Sequence, residues 1–475
     1  MIGFTTLDLA VLVVYLVGVT IWGAWLGRGQ KGGTDYFLGS RSLPWFAVML
    51  SIVATETSTL TFLSIPGVSY TGSLVFLQLT LGYLVGRFLV AGLFLPAYYA
   101  GSLTTAYELL EVRFGLGARR FTSAIFMVTR LLADSVRLFA TAIPLALITG
   151  WAYPQSILVI GLLTVVYTYF GGIKAVVWVD AVQMTLYLFG AAVAIYMIQV
   201  IVGWGPVMSI ASESGKLQVF DLSPDLMIPY TLWAGVFGGA VFTMASHGTD
   251  QLIVQRLLTC RDQRSAQLAL TGSGLVVIVQ FFLFLMVGLG LYVVYQGRSF
   301  ETTDQIFALF IVEMLPPGVT GLLIAGVFAA AMSSLSSSIN SLASATAYDY
   351  WAPMVGARDD EARILKAGKI FTLVWAALLI LGANLFIPLS SGTTAVEVAL
   401  GVASLVYGGL LGAFALGVFT KRPGQAAMIL GVIAGIGTVM LFRNQMAWPW
   451  YVLVGSVVTF VAGSIFGLFE KAPAS

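Results

Sequence analysis

Apolar runs of about 20 residues recur from one end of this chain to the other, joined by short polar segments, and that length is what a helix needs to cross a bilayer. Lipid offers no partner for a backbone N–H or C=O, so each run must satisfy its own hydrogen bonds as a helix. Composition agrees, with 59% of the 475 residues hydrophobic and 9% charged. The sequence therefore predicts an all-α polytopic membrane protein of about 13 transmembrane helices, with the bilayer as its medium and no nucleic-acid partner. The first apolar run, Leu7 to Leu26, carries Asp8 where a signal peptide would carry basic residues, so it is expected to be a retained span. A lone Cys260 excludes an intramolecular disulfide and a Cys-rich metal site, and a single His247 excludes two-His zinc motifs.

Basic residues set the orientation, because cytoplasmic loops retain Lys and Arg. The 23 Lys and Arg divide into 17 on one side of the expected spans, 3 on the other and 3 within them. The side with 17 includes Arg28, Lys174, Arg256 and Lys471; the other holds Lys216, Arg298 and Arg443; Arg87, Arg130 and Arg137 lie inside spans. This places the N-terminus outside and the C-terminus in the cytoplasm. The outer segments around 205–229 and 297–318 also carry Glu213, Asp221, Asp225, Glu301, Asp304 and Glu313, which would draw cations weakly. A compact chain without long glycosylated loops suggests a bacterial inner membrane.

Two spans depart from a plain lipid-facing helix. "SIVATETSTLTFLSIPGVSY", Ser51 to Tyr70, is broken by threonines, Glu56 and a Pro-Gly step; "PYTLWAGVFGGAVFTMASHGTDQ", Pro229 to Gln251, carries Gly-Gly and His247. Interrupted helices at matching places in two halves mark an inverted repeat with a binding site at the midplane. The expected organisation is a leading helix and loop (1–42), a five-helix repeat (43–203), an outer loop (204–228), a second five-helix repeat (229–420) and trailing helices (421–475).

Within the second repeat, "FAAAMSSLSSSINSLASA", Phe328 to Ala345, places Ser333, Ser337 and Ser341 at i, i+4 and i+8 on one helical face, with Ser334 and Ser338 beside them. Close helix packing explains such a face, each serine bonding back to its own helix. A sodium site explains it too, since hydroxyls and carbonyls freed at a helix break supply hard oxygen ligands. Arg130, Asp134 and Arg137, at i, i+4 and i+7, leave one positive charge over, which a substrate carboxylate would balance near Arg137. The alternatives are that Arg130 snorkels while Asp134 pairs with Arg137, or that Glu56 takes the surplus. Glu56, in the first break, is also the group through which protons rather than sodium would couple.

Three segments, "GGIKAVVWVDAVQ" (Gly171 to Gln183), "GTDQLIVQR" (Gly248 to Arg256) and "AAAMSSLSSSINS" (Ala329 to Ser341), resemble the sodium/solute symporters, the family of sodium/glucose, sodium/proline and sodium/sialic acid carriers. The resemblance runs over nearly the whole chain. It implies a LeuT-like five-plus-five inverted-repeat bundle with additional helices, and a main sodium site built from the carbonyls of Ala54, Thr57 and Ala330 and the hydroxyls of Ser333 and Ser334. It also implies a second sodium site at Asp180, Ser336 and Ser337, with pairing to Lys174 as the other reading of Asp180. Ser58 and Thr61 resemble solute contacts of the sialic acid carriers. Thr243 and His247, one turn apart, and Gln78 are further solute candidates, and His247 stands where sugar carriers have an aromatic gate.

The expected activity is sodium-coupled symport of a small carboxylate-bearing solute, of sialic acid or monocarboxylate type, with Na+ as the coupling ion. A neutral sugar, polyol or amino acid is the alternative, and proton coupling, a channel or a sensor stand further off. No Walker loop, GxSxG elbow or metal cluster points to an enzyme.

Overall fold

A computed structural model describes residues 4–101, 103–387 and 395–470; Lys471 lies outside them. Among the described residues there is no strand, only a lone bridge between Leu43 and Cys260. The crossing helices are α1 (Thr6–Leu26), α2 (Trp45–Glu56), α3 (Thr59–Thr71), α4 (Leu77–Leu93), α5 (Leu116–Thr149), α6 (Tyr153–Ile201), α7 (Gly239–Gly248), α8 (Gln251–Leu258), α9 (Gln263–Val294), α10 (Val319–Ala345), α11 (Glu361–Phe386), α12 (Ala395–Phe419), α13 (Gln425–Phe442) and α14 (Pro449–Phe466).

Eight described helices are long and apolar enough to cross a membrane on their own, and the bent pair α2–α3 makes nine. The 49 residues of α6 would stretch about 74 Å as one rod, more than twice a bilayer, so they cross twice. The fold-back falls at Gly172, whose φ of 54° suits glycine, and its backbone lies against Tyr36. That second limb, together with α5, the pair α7–α8 and α12, brings the bundle to the 13 crossings expected. Of these, α5 and the pair α7–α8 are flagged least by composition, because charge interrupts the one and a break the other. Each broken helix is followed by four further crossings.

The first break follows from local chemistry. Thr55, Thr57 and Thr59 are β-branched and poor helix formers. Ser58 then caps α3, its Oγ accepting from the Thr61 N–H at 3.4 Å, and the axes on either side differ by 62°. At the second break Thr249 leaves the helix and Asp250 caps α8, its Oδ1 accepting from the Leu252 N–H at 2.9 Å. A π-helical turn, Ala234–Gly238, leads into α7 and brings glycines to the crossing with α4. There a Cβ on Gly82 would stand 2.0 Å from the Gly235 carbonyl oxygen, so only glycine lets the two backbones meet. The bridge from Leu43 to Cys260 ties the start of the first broken helix to the end of the second, on one side of the membrane.

Candidate functional site

The two breaks, with α5 and α12, converge on a central cavity of about 200 Å³, lined by Glu56, Ser58, Thr61, Ser64, Arg130, Arg137, Ser246, His247 and Tyr407 among aromatic and aliphatic residues. Four of the expected solute residues, Ser58, Thr61, Arg137 and His247, line it. Gln78 and Thr243 do not. The Gln78 amide donates to the Val75 and Tyr230 carbonyls and accepts from the Asp221 N–H, so it fastens the outer loop. Thr243 is buried, and its β-carbon packs against Gly86 of α4.

The buried charges correct the expected surplus around Arg137. Arg130 pairs with Asp250, and the Tyr407 hydroxyl donates to the same carboxylate at 2.7 Å. Arg137 pairs with Asp134 at 3.2 Å, and the Ser338 hydroxyl donates to that carboxylate's other oxygen. Glu56 is taken by Arg87, a fully buried residue that also donates to Ser273 Oγ at 3.0 Å. No positive charge is left over in this group. The feature that distinguishes Arg137 is accessibility: its side chain remains 24% exposed and lines the cavity, and its one acid contact runs through a single guanidinium nitrogen. The rest of its fork of N–H groups is free to meet a ligand. His247 accepts or donates at Ser246 through Nδ1 (2.9 Å), while Nε2 is buried without a hydrogen bond, 3.7 Å from the Glu56 carboxylate.

The serine face divides into two kinds. Ser336, Ser337 and Ser341 each donate to a carbonyl of their own helix, at 3.0, 2.6 and 3.2 Å, which is the packing behaviour, while Ser338 gives its proton to Asp134. Ser333 instead reaches across to Asp180 Oδ1 at 2.7 Å. The Ser334 hydroxyl oxygen is buried and has no partner. It opens, with Ser58, Asp134 and Arg137, on a small void of about 10 Å³. Facing α10 is the C-terminal end of α2, whose last carbonyls, Ala54's among them, lie past the end of the helical ladder. The Val53 carbonyl alone of that turn is taken, by the Thr57 N–H at 2.9 Å, and Gln280 Nε2 holds the Thr57 hydroxyl at 2.7 Å. The partial negative charge at that helix end favours a cation.

Asp180 is fully buried, and its partner is Arg256 at 3.0 Å rather than Lys174. Ser51 donates to the same oxygen at 2.6 Å, and Arg256 also donates to Ser51, Ser337 and the Leu252 carbonyl. Arg256 is therefore an interior residue, 1% exposed, rather than a loop residue facing solvent. Among the described residues no cluster of His, Cys, Asp and Glu could hold a metal, so any cation here is met by hydroxyls, carbonyls and single carboxylates.

Sequence reasoning left Arg87, Asp250, Arg256, Gln280 and Tyr407 without these roles. Their partners lie 31 to 277 residues away, beyond any periodicity. The one available signal was the cost of an intramembrane charge, which demands a partner for Arg87 as it did for Arg137.

Comparison with known proteins follows the same lines. The family model for the sodium:solute symporter family matches residues 36–435. The human sodium/iodide cotransporter is 32% identical over 445 residues, covering 90% of this chain and 67% of its own. The sodium/sialic acid symporter of Proteus mirabilis is 29% identical over 97% of this chain and 95% of its own. A substrate-bound, outward-open structure of a Na+-coupled sialic acid symporter superposes with a TM-score of 0.91 at 28% identity, over 99% of both chains.

Proposed function

The chain belongs to the sodium:solute symporter family, with its LeuT-like five-plus-five bundle, and on that premise we propose that it uses sodium entry to drive uptake of a small carboxylate anion. The observation that carries the sodium half is Ser334. A buried hydroxyl without a partner is costly, and this one lies opposite a helix end with free carbonyls. Ala54, Thr57, Ala330, Ser333 and Ser334 would supply the oxygens that replace the ion's water. Sodium bound there joins α2 to α10, holds the outer-open arrangement and completes the floor of the cavity beside Ser58. Solute binding then permits one helix set to rock against the other, and sodium and solute leave to the cytoplasm.

The solute half rests on Arg137, with Ser58 and Thr61 beside it and His247 across the cavity. A guanidinium fork with unused N–H groups suits a carboxylate, as sialic acid or a monocarboxylate would present. The protein carries solute unchanged and performs no covalent step. The asymmetry of its basic loops supports an N-terminus outside and a cytoplasmic C-terminus, and its similarity to bacterial symporters supports residence in a bacterial inner membrane.

A second sodium is a further reading, favoured by Ser333 on the carboxylate of Asp180, with Ser336 and Ser337 on the next turn. That ion would have to draw Asp180 away from Arg256. A measured coupling ratio near one sodium per solute excludes it.

The test of the sodium site is the unfolding temperature of the purified protein in sodium chloride and in potassium chloride at equal ionic strength. Sodium alone should raise it, because a ligand bound only by the folded state stabilises by about 2.7 kcal/mol at a hundredfold excess over Kd. Ser334→Ala should erase the difference. Identical behaviour in both salts returns the serine face to helix packing and makes Glu56, as a proton carrier, the leading account.

A further inference from the structure

A second hollow, of about 370 Å³, opens at the outer end of the molecule between α3, the α9–α10 connection and the loop that carries Lys216. Tyr70, Thr71, Lys216, Tyr292, Arg298 and Ser299 line it. Along α3, Val68 lines the central cavity and Tyr70, two residues on, lines this hollow, so the two adjoin on one helix. The chemistry of this hollow is opposite to that of the acidic loops around it.

Lys216 is 7% exposed, and its Nζ donates to the carbonyls of Tyr70 (2.7 Å) and Gly72 (3.1 Å) while lying 4.2 Å from the centre of the Tyr292 ring. Arg298 lies 5.1 Å from the Phe300 ring, which orders its guanidinium at the rim. Among the described residues neither cation has a carboxylate within 4.0 Å. The nearby acid, Asp304, is turned to the Ser64 hydroxyl at 2.6 Å. Burial lowers the Lys216 ammonium below its ordinary pKa, a cost that an adjacent anion would remove. Capping of α3 by Lys216 accounts for that side chain alone; it explains neither Arg298 nor the space between them.

We propose that this hollow is an outer binding site for a small carboxylate anion, held by Arg298 and Lys216 with the Tyr292 ring beside its organic part. The ligand class is taken from the proposed function, and the site adjoins the central cavity along α3, beyond Val68. An anion caught there is concentrated at the entrance before sodium has completed the inner site.

The single native cysteine is buried, so Ser299→Cys introduces one exposed thiol at the rim. The full-length protein carrying it is reacted, in potassium buffer without sodium, with a sulfonate-bearing and with a trimethylammonium-bearing methanethiosulfonate. The anionic reagent should gain over the cationic one. Arg298→Gln with Lys216→Gln should cut that rate ratio by about tenfold, as expected for two unit charges several ångströms away. Arg298→Gln alone, at an exposed position, should give a clear part of the change even where loss of the lysine harms folding. Millimolar pyruvate or N-acetylneuraminate should slow the modification, and glucose should not. An unchanged ratio, or no protection by either carboxylate, overturns the site. Protection without sodium-driven uptake of the same carboxylate supports the outer site and removes the proposed function; uptake without protection does the reverse.

Discussion

Ser334 and its neighbours differ in what their hydroxyls do, although the chain spells them alike. Three serines of α10, Ser336, Ser337 and Ser341, spend their proton on their own helix, Ser333 and Ser338 spend theirs on the carboxylates of Asp180 and Asp134, and Ser334 has no partner. Arg137 differs from Arg87 and Arg130 in the same manner, by what it leaves uncommitted. Arg137→Gln should therefore abolish uptake of a carboxylate, by a hundredfold or more in order of magnitude if about 3 kcal/mol of charge-assisted bonding is lost. It should leave the sodium-dependent rise in unfolding temperature intact; unchanged uptake in vesicles would remove Arg137 from the solute site. The sequence identified which residues carry charge or hydroxyls within the membrane, and the cavity gathers Glu56, Ser58, Thr61, Arg137 and His247 among them, while the serines of α10 and Asp180 lie outside it. It misassigned partners wherever the nearest opposite charge along a helix was not the nearest in space. Asp134 lies four residues from Arg130, yet Asp250, 120 residues on, is the closer acid, because a break in the second interrupted helix turns it inward.

At the scale of elements, the interrupted helices were legible because each break is written locally, in threonines and a serine cap for one and in Thr249 and Asp250 for the other. The fold-back of α6 was legible only through its length and the Gly-Gly pair, since no run of polar residues marks the join between its limbs. The close crossing of α4 with the π-helical turn was not foreseen, because an isolated glycine in an apolar run has no mark that tells contact from lipid. That crossing is testable. Gly82→Ala puts a methyl against the Gly235 carbonyl and should cost about 1 to 3 kcal/mol through overpacking. Gly92→Ala on the same helix meets nothing within 4 Å and should be neutral or slightly stabilising, since alanine favours helix. Unfolding temperatures of the two variants in one detergent give the comparison; equal shifts would mean that the crossing yields easily.

Across the whole molecule, the charged groups around the central cavity come in couples: Arg87 with Glu56, Arg130 with Asp250, Arg137 with Asp134 and Arg256 with Asp180. Each couple is neutral taken together, so each moves, if at all, without net charge. A carrier must also return empty, and moving one elementary charge through the membrane potential costs about 2.3 kcal/mol per 100 mV. These four couples add nothing to that cost. Voltage steps applied to the protein in bilayers without sodium should give no transient charge movement above background, and adding sodium without solute should produce one. The pairing thus makes the ion, rather than the protein, the part of the cycle that feels the electric field, so a cell's membrane potential acts on loading and leaves the unloaded return indifferent to it.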